Sequence, residues 1–346
     1  MLYYNIPKSE IMFVAAHVRR WKLRLLCGFF LLFSADLGAA SPVSAGAAPS
    51  VVVSLNPLHS IVANVMNGVG SPLLLMSGSE SPHSFALKPS QARELQRADA
   101  IFWVGPELEQ FLTGPLKTLA KRARIVTFTR VAPLLAYRKQ GLWIHSEQHA
   151  GKPDQAHGGA HDHGVNDPHF WLDPVRVRDI VPEIERLLSE IDPANAAIYG
   201  ANAARLIRRL EGLHRQLEAV LAPVREVPYL VLHDAYQYIE ARYRLAAIGS
   251  LVLDPEVRPG ARHVAGIRRI VAQSKVRCVF SEPQLPRSVL SAVSGTHDII
   301  IGELDPLGAA QTPGPDAYFQ ILLDLAKKLA GCLRIGEVGA RSLIKN

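Results

Sequence analysis

The sequence predicts an α/β protein built from two similar halves with a run of helix between them. Three observations carry that prediction. Short apolar runs alternate with helical patterns over residues 51–129 and again over 229–333. Nearly fifty residues between 175 and 223 keep helical spacing, broken only near Asp192 and Pro193. A polar stretch rich in Gly and His, 138–168, lacks periodicity and separates the first alternation from that helix. Parallel neighbours need a long crossover, usually a helix, so strand-helix alternation implies mainly parallel sheets covered by helices.

The chain starts with what reads as a secretory signal. Arg19, Arg20, Lys22 and Arg24 precede the apolar run "LLCGFFLLFSADLGAA", and small residues follow in "SPVSAGAAPS". That is the charged, apolar, small-residue order of an export signal, with cleavage after Ala40, Ala47 or Ala48. A membrane anchor is the competing reading, and Asp36 within a short run argues against it.

In the first half, "VVVSLNP" (51–57) is a strand ending in a turn, and "IVANVMNGVG" (61–70) is a helix stopped by glycine. "PLLLM" (72–76) is a second strand and "KPSQARELQRADA" (88–100) a helix. "IFWVG" (101–105) is a third strand, "ELEQFLTGPLKTLAK" (107–121) a helix and "RIVTFT" (124–129) a fourth strand. Segment 138–168 reads as a long mobile loop, a length usually reserved for function or disorder. Two helical stretches follow, 175–193 and 194–223. In the second half, strands are expected at 229–235, within 245–253, at 276–283 and at 299–306. Helices are expected at 236–243, 261–275 and 316–333. The division that results is a signal region (1–48), a first lobe (49–174), a helical segment (175–224) and a second lobe (225–346).

Composition excludes several classes. The formal charge is +7, but the basic residues are scattered and no nucleic-acid motif is present. There is no Gly-rich phosphate loop, no G-x-S-x-G elbow and no H-E-x-x-H helix. Cleavage of the signal would remove Cys27 and leave Cys278 and Cys332, a disulfide candidate in an oxidising compartment, with two buried thiols as the alternative.

The histidines are the chemical signal. His83 lies past the strand at 72–76, His169 in "DPHFWLDP", and His233 at the end of "YLVLH". Asp305 follows a fourth strand in "GELDPLG". Side chains at strand ends are where α/β folds place their sites, and imidazoles with a carboxylate suit a transition ion. Occupancy by Asp305 would decide the chemistry: a filled fourth place favours carriage of the metal, whereas an open one would permit hydrolysis.

Taken together, "NPLHSIVANVM", "SPHSFALKPSQARELQRAD", "DPHFWLDP", "VLHDAYQYIE", "PEVRPGARHVAGIR", "CVFSEPQ" and "GELDPLG" resemble the zinc-binding periplasmic proteins of ABC transporters, the ZnuA-like branch of the metal-binding cluster A-I family. The resemblance spans nearly all of the chain after the signal. It implies two α/β lobes joined by a long rigid helix, with zinc in the cleft between them and no enzymatic activity. It implies His83, His169 and His233 as zinc ligands, with Asp305 or water completing the set; an acidic residue that some members carry before the first histidine is here Pro82. It also implies an auxiliary His-rich loop at 145–163, with His145, His149, His157, His161 and His163, and a disulfide between Cys278 and Cys332. His59 is expected to play a structural or supporting role near the cleft. Manganese-binding relatives replace one histidine with a carboxylate and lack such a loop, so zinc is the expected cargo, with manganese carriage or a zinc hydrolase as alternatives. The expected partners are a membrane permease with its cytoplasmic ATPase, and a periplasmic zinc chaperone. The chain is expected to be a periplasmic monomer that binds no nucleic acid.

Overall fold

The computed structural model describes residues 47–138, 166–252, 261–274, 276–285, 290 and 299–343. The signal region and the His-rich loop 145–163 therefore lie outside the described residues. Both expected sheets are present. Val51–Leu55 (β1), Leu73–Met76 (β2), Ala100–Trp103 (β3) and Arg124–Thr127 (β4) form a parallel sheet in the order β2-β1-β3-β4. Tyr229–Val231 (β5), Ala247–Ser250 (β6), Cys278–Ser281 (β7) and Ile300–Glu303 (β8) form a second, in the matching order β6-β5-β7-β8. The central strands β1, β3, β5 and β7 are buried along their whole length, as expected where helices cover both faces, while the edge strands β4 and β8 are partly exposed.

The helices are Asn56–Val65 (α1), Pro89–Arg97 (α2), Gln110–Thr118 (α3), Pro174–Ile191 (α4), Ala196–Leu221 (α5), Gln237–Tyr243 (α6), Ala261–Gln273 (α7) and Ala317–Leu343 (α8). Several bounds differ from expectation, those of α1 and α8 the most. Helix α1 starts directly after β1, so "NPLHS" is its first turn rather than a connection. Pro57 sits in that first turn, where its fixed φ suits the helix and its missing N–H would have had no partner anyway. Helix α8 continues past 333 to Leu343.

Helix α4 is started by Asp173, whose carboxylate accepts from the Val175 N–H at 2.9 Å, with Pro174 as first residue. Helix α5 is the long connecting helix, 26 residues, or roughly 39 Å at 1.5 Å per residue. Its buried residues, Leu206, Leu210, Leu213, Leu217 and Leu221 among them, recur every three or four positions and make one apolar stripe.

That stripe belongs to a core shared by both halves. One continuous apolar cluster takes in Phe102 and Val126 from the first sheet, Tyr229 and Phe280 from the second, and Leu325 and Leu329 of α8. Polar bonds also cross between the halves. Trp171 Nε1 donates to Pro306 O at 2.9 Å, Tyr318 donates to Trp171 O at 2.7 Å, and Arg242 pairs with Asp173 at 2.7 Å. Cys278 of β7 is disulfide-bonded to Cys332 of α8. Among the described residues, no helix is long and apolar enough to cross a membrane.

Candidate metal centre

His83, His169 and His233 each leave the chain at or beyond the carboxyl end of a strand or in a connection, and the fold brings the three together. One ring nitrogen of each lies within 4.8 Å of the others. Ring centroids are 5.3 Å apart for His169 and His233, 5.8 Å for His83 and His233, and 6.1 Å for His83 and His169. His169 and His233 are buried, and His83 is partly so.

Two of the rings are oriented by buried carboxylates. Asp167 Oδ1 accepts from the backbone N–H of His169 at 2.9 Å and from its Nδ1 at 2.8 Å. Glu282, just past β7, accepts from His233 Nδ1 at 3.0 Å. A carboxylate acceptor requires the Nδ1–H tautomer, which leaves the Nε2 lone pair for a metal. Burial alone would lower the pKa of His233, but the charge and hydrogen bond of Glu282 outweigh it, and the net shift is upward from 6.5. The adjacent carboxylate, Asp234, is engaged elsewhere: it pairs with Arg138, which also pairs with the buried Glu240 at 2.7 Å.

The three rings open onto a cavity of about 20 Å³, walled also by Pro82, Trp171, Glu282, Gln284, Pro306 and Leu307. That exceeds the roughly 10–15 Å³ that one water needs, so the space suits an ion with a water-sized ligand.

Asp305 is not brought into the histidine group. Both of its oxygens are occupied. Oδ1 accepts from Gln284 Nε2 at 2.9 Å, from Leu307 N at 3.2 Å and from Gly308 N at 2.8 Å; Oδ2 accepts from Ala309 N at 2.6 Å. The turn after β8 leaves those N–H groups without backbone partners, and the carboxylate satisfies them. His59 is also apart from the group. It is buried in α1, its Nε2 bonds Pro72 O at 2.9 Å, and it is absent from the cavity wall. Desolvation lowers its pKa, partly offset by that bond.

Asp167, Glu282 as the partner of His233, and Gln284 were not singled out by sequence reasoning. A local signal existed for Asp167: an aspartate two residues before another residue commonly accepts that residue's N–H.

The family model described as "ZnuA: Zinc-uptake complex component A periplasmic" matches residues 51–332. The chain is 40% identical over 333 residues to the high-affinity zinc uptake system protein ZnuA of Brucella abortus (strain 2308), covering 90% of this chain and 99% of that one. It is 32% identical to the protein of the same name from Yersinia pestis, covering 92% and 99% respectively. A crystal structure of ZnuA superposes with a TM-score of 0.69 at 25% identity, covering 83% of this chain and 99% of that chain.

Proposed function

The chain belongs to the family of periplasmic zinc-uptake complex components A, and from that premise we propose that it captures Zn2+ in the periplasm and delivers it to an ABC permease driven by a cytoplasmic ATPase. It is a solute-binding protein rather than an enzyme. The observation that carries the reading is the convergence of three imidazoles, two of them held by buried carboxylates, on one small cavity. Neutral imidazoles suit zinc and bring no charge of their own. Asp167 and Glu282, one bond further out, balance the ion's charge.

An all-histidine set favours zinc over manganese, which prefers oxygen ligands. Three histidines also occur in catalytic zinc sites. Here the cavity of about 20 Å³ has room for little beyond an ion and a water-sized ligand, and this supports carriage. His145, His149, His157, His161 and His163 would add weaker, exchangeable sites that gather zinc when supply is low. Transfer from a periplasmic zinc chaperone and action as a monomer complete the reading.

Calorimetric zinc titration tests it. The wild-type chain should show one tight site and several weak ones. His169→Ala should weaken the tight site by orders of magnitude, and removal of residues 145–163 should abolish only the weak ones. An unchanged tight site in His169→Ala would overturn the proposal.

A further inference from the structure

Zinc held by three imidazoles lacks a fourth ligand, and the cavity wall offers few groups to deal with it. Glu282 is occupied by His233, and Asp305 by the turn it caps. Most of the remaining wall is apolar. Ser81 is polar, and its Oγ accepts from His83 N at 3.3 Å; Gln284 is the other polar group. Its Nε2 donates to Gly78 O at 2.6 Å and to Asp305 Oδ1 at 2.9 Å. Two acceptors at that end fix which amide atom is nitrogen. The opposite atom, Oε1, is shielded from solvent and accepts no hydrogen bond from any described residue. A buried acceptor without a donor is costly and calls for an explanation.

We infer that Gln284 positions the fourth ligand of the bound ion: its Oε1 accepts a hydrogen bond from a zinc-bound water, and Asp305 holds the amide for that task. This rests on the zinc-carrier reading above. Asp305 is thereby a buttress one step removed from the ion rather than a ligand. The same amide ties the loop that carries His83 to the turn after β8. Gly78 adopts φ +88°, and a Cβ there would lie 2.8 Å from Leu307 O, so only glycine allows that approach. A neutral amide oxygen leaves the water exchangeable, which suits an ion that must be released again.

The test uses the full chain loaded with zinc or with cobalt(II), whose visible spectrum reports coordination. Thiocyanate added to the cobalt form of the wild type should displace the water and shift the spectrum saturably. An unresponsive spectrum would mean that a protein group fills the place, and would overturn the inference. In Gln284→Met, which keeps the side chain's length and removes its hydrogen bonds, zinc should bind about tenfold more weakly, the loss of one hydrogen bond. Thiocyanate should bind the cobalt form of that variant about tenfold more tightly, because the water it displaces is no longer held; mere loosening of the site would not tighten an anion. Unchanged zinc and thiocyanate affinities in Gln284→Met would refute the role of Gln284. Tight zinc binding by the wild type, lost in His169→Ala, would leave the carrier function standing in that case. If Gln284→Met does not fold, the wild-type thiocyanate titration still decides.

Discussion

Glu282 acts on His233 in two ways that pull zinc binding in opposite directions. It fixes the tautomer that presents Nε2, which favours the metal. It also stabilises the protonated ring, which competes with the metal. Burial works against protonation, yet the net shift is upward from 6.5. The sign follows for each state. In the metal-free protein, the stability gained from the charged His233–Glu282 pair is fully present below the unfolded pKa and is lost as pH rises through the folded value. Zinc needs the neutral ring, so affinity falls as pH drops through that same raised value. Glu282→Gln should move the midpoint of a pH-resolved zinc competition titration to lower pH, and should weaken zinc binding at neutral pH by about 10–100-fold through loss of orientation. A midpoint that stays put or rises would contradict this. At this scale the three histidines were legible because each stands at a strand end or in a connection, where α/β folds build sites. Glu282 was not, since a carboxylate that accepts from an imidazole looks in sequence like any solvated acid, and the local signal at Asp167 announces its bond to a backbone N–H but not the one to the His169 ring. Asp305 was expected to complete the set, with water as the alternative; nothing in "GELDPLG" reveals the three backbone N–H groups that bond to its carboxylate.

Among the elements, all eight strands of the two sheets were legible, because central strands of parallel sheets are nearly continuous apolar runs such as "VVVSL" and "CVFS". The start of α1 was not. Asn56 and Pro57 are turn formers by composition, yet the helix begins at Asn56, and Asn56 Nδ2 reaches across to Gly308 O at 3.1 Å. Glu109 was hidden too. In sequence it sits in a polar helical pattern, but it is fully buried at the end of β3, where its Oε2 accepts from Val104 N at 2.7 Å. Burial raises its pKa to about 7, against the hydrogen bonds that lower it. The pairing of β7 with α8 through Cys278 and Cys332 joins residues 54 apart. In the chain-entropy account, a loop of that length contributes about 4 kcal/mol by restricting the unfolded chain. Replacing both cysteines with serine should therefore cost on the order of 2–4 kcal/mol in a denaturant titration, while zinc affinity stays near wild type, since neither residue lines the cavity. A variant as stable as the oxidised wild type would show that the bond adds nothing.

For the molecule as a whole, the sequence suggested two lobes joined by a long rigid helix, which already limits hinge closure. The side chains argue for something stiffer. The α5 stripe, both sheets and α8 contribute to one apolar core. Tyr238, on α6, accepts from Leu135 N at 2.9 Å and donates to Asp167 O at 2.5 Å, so it pins the chain on both sides of the His-rich loop to the second half. Arg209 of α5 pairs with Asp316 and Asn64 on either side. No periodicity could have announced these bonds, because each joins residues between 71 and 145 positions apart in the chain. If the halves share a core, neither can unfold alone. Scanning calorimetry on the metal-free mature chain should show a single transition whose calorimetric and van't Hoff enthalpies agree. Zinc at a hundred times its dissociation constant should move that whole transition upward, by the equivalent of about 2.7 kcal/mol. The His169→Ala chain should not respond at the same zinc concentration. Two resolved transitions, or a zinc-dependent shift confined to one of them, would mean that the lobes are independent bodies and that loading proceeds by closure of one upon the other.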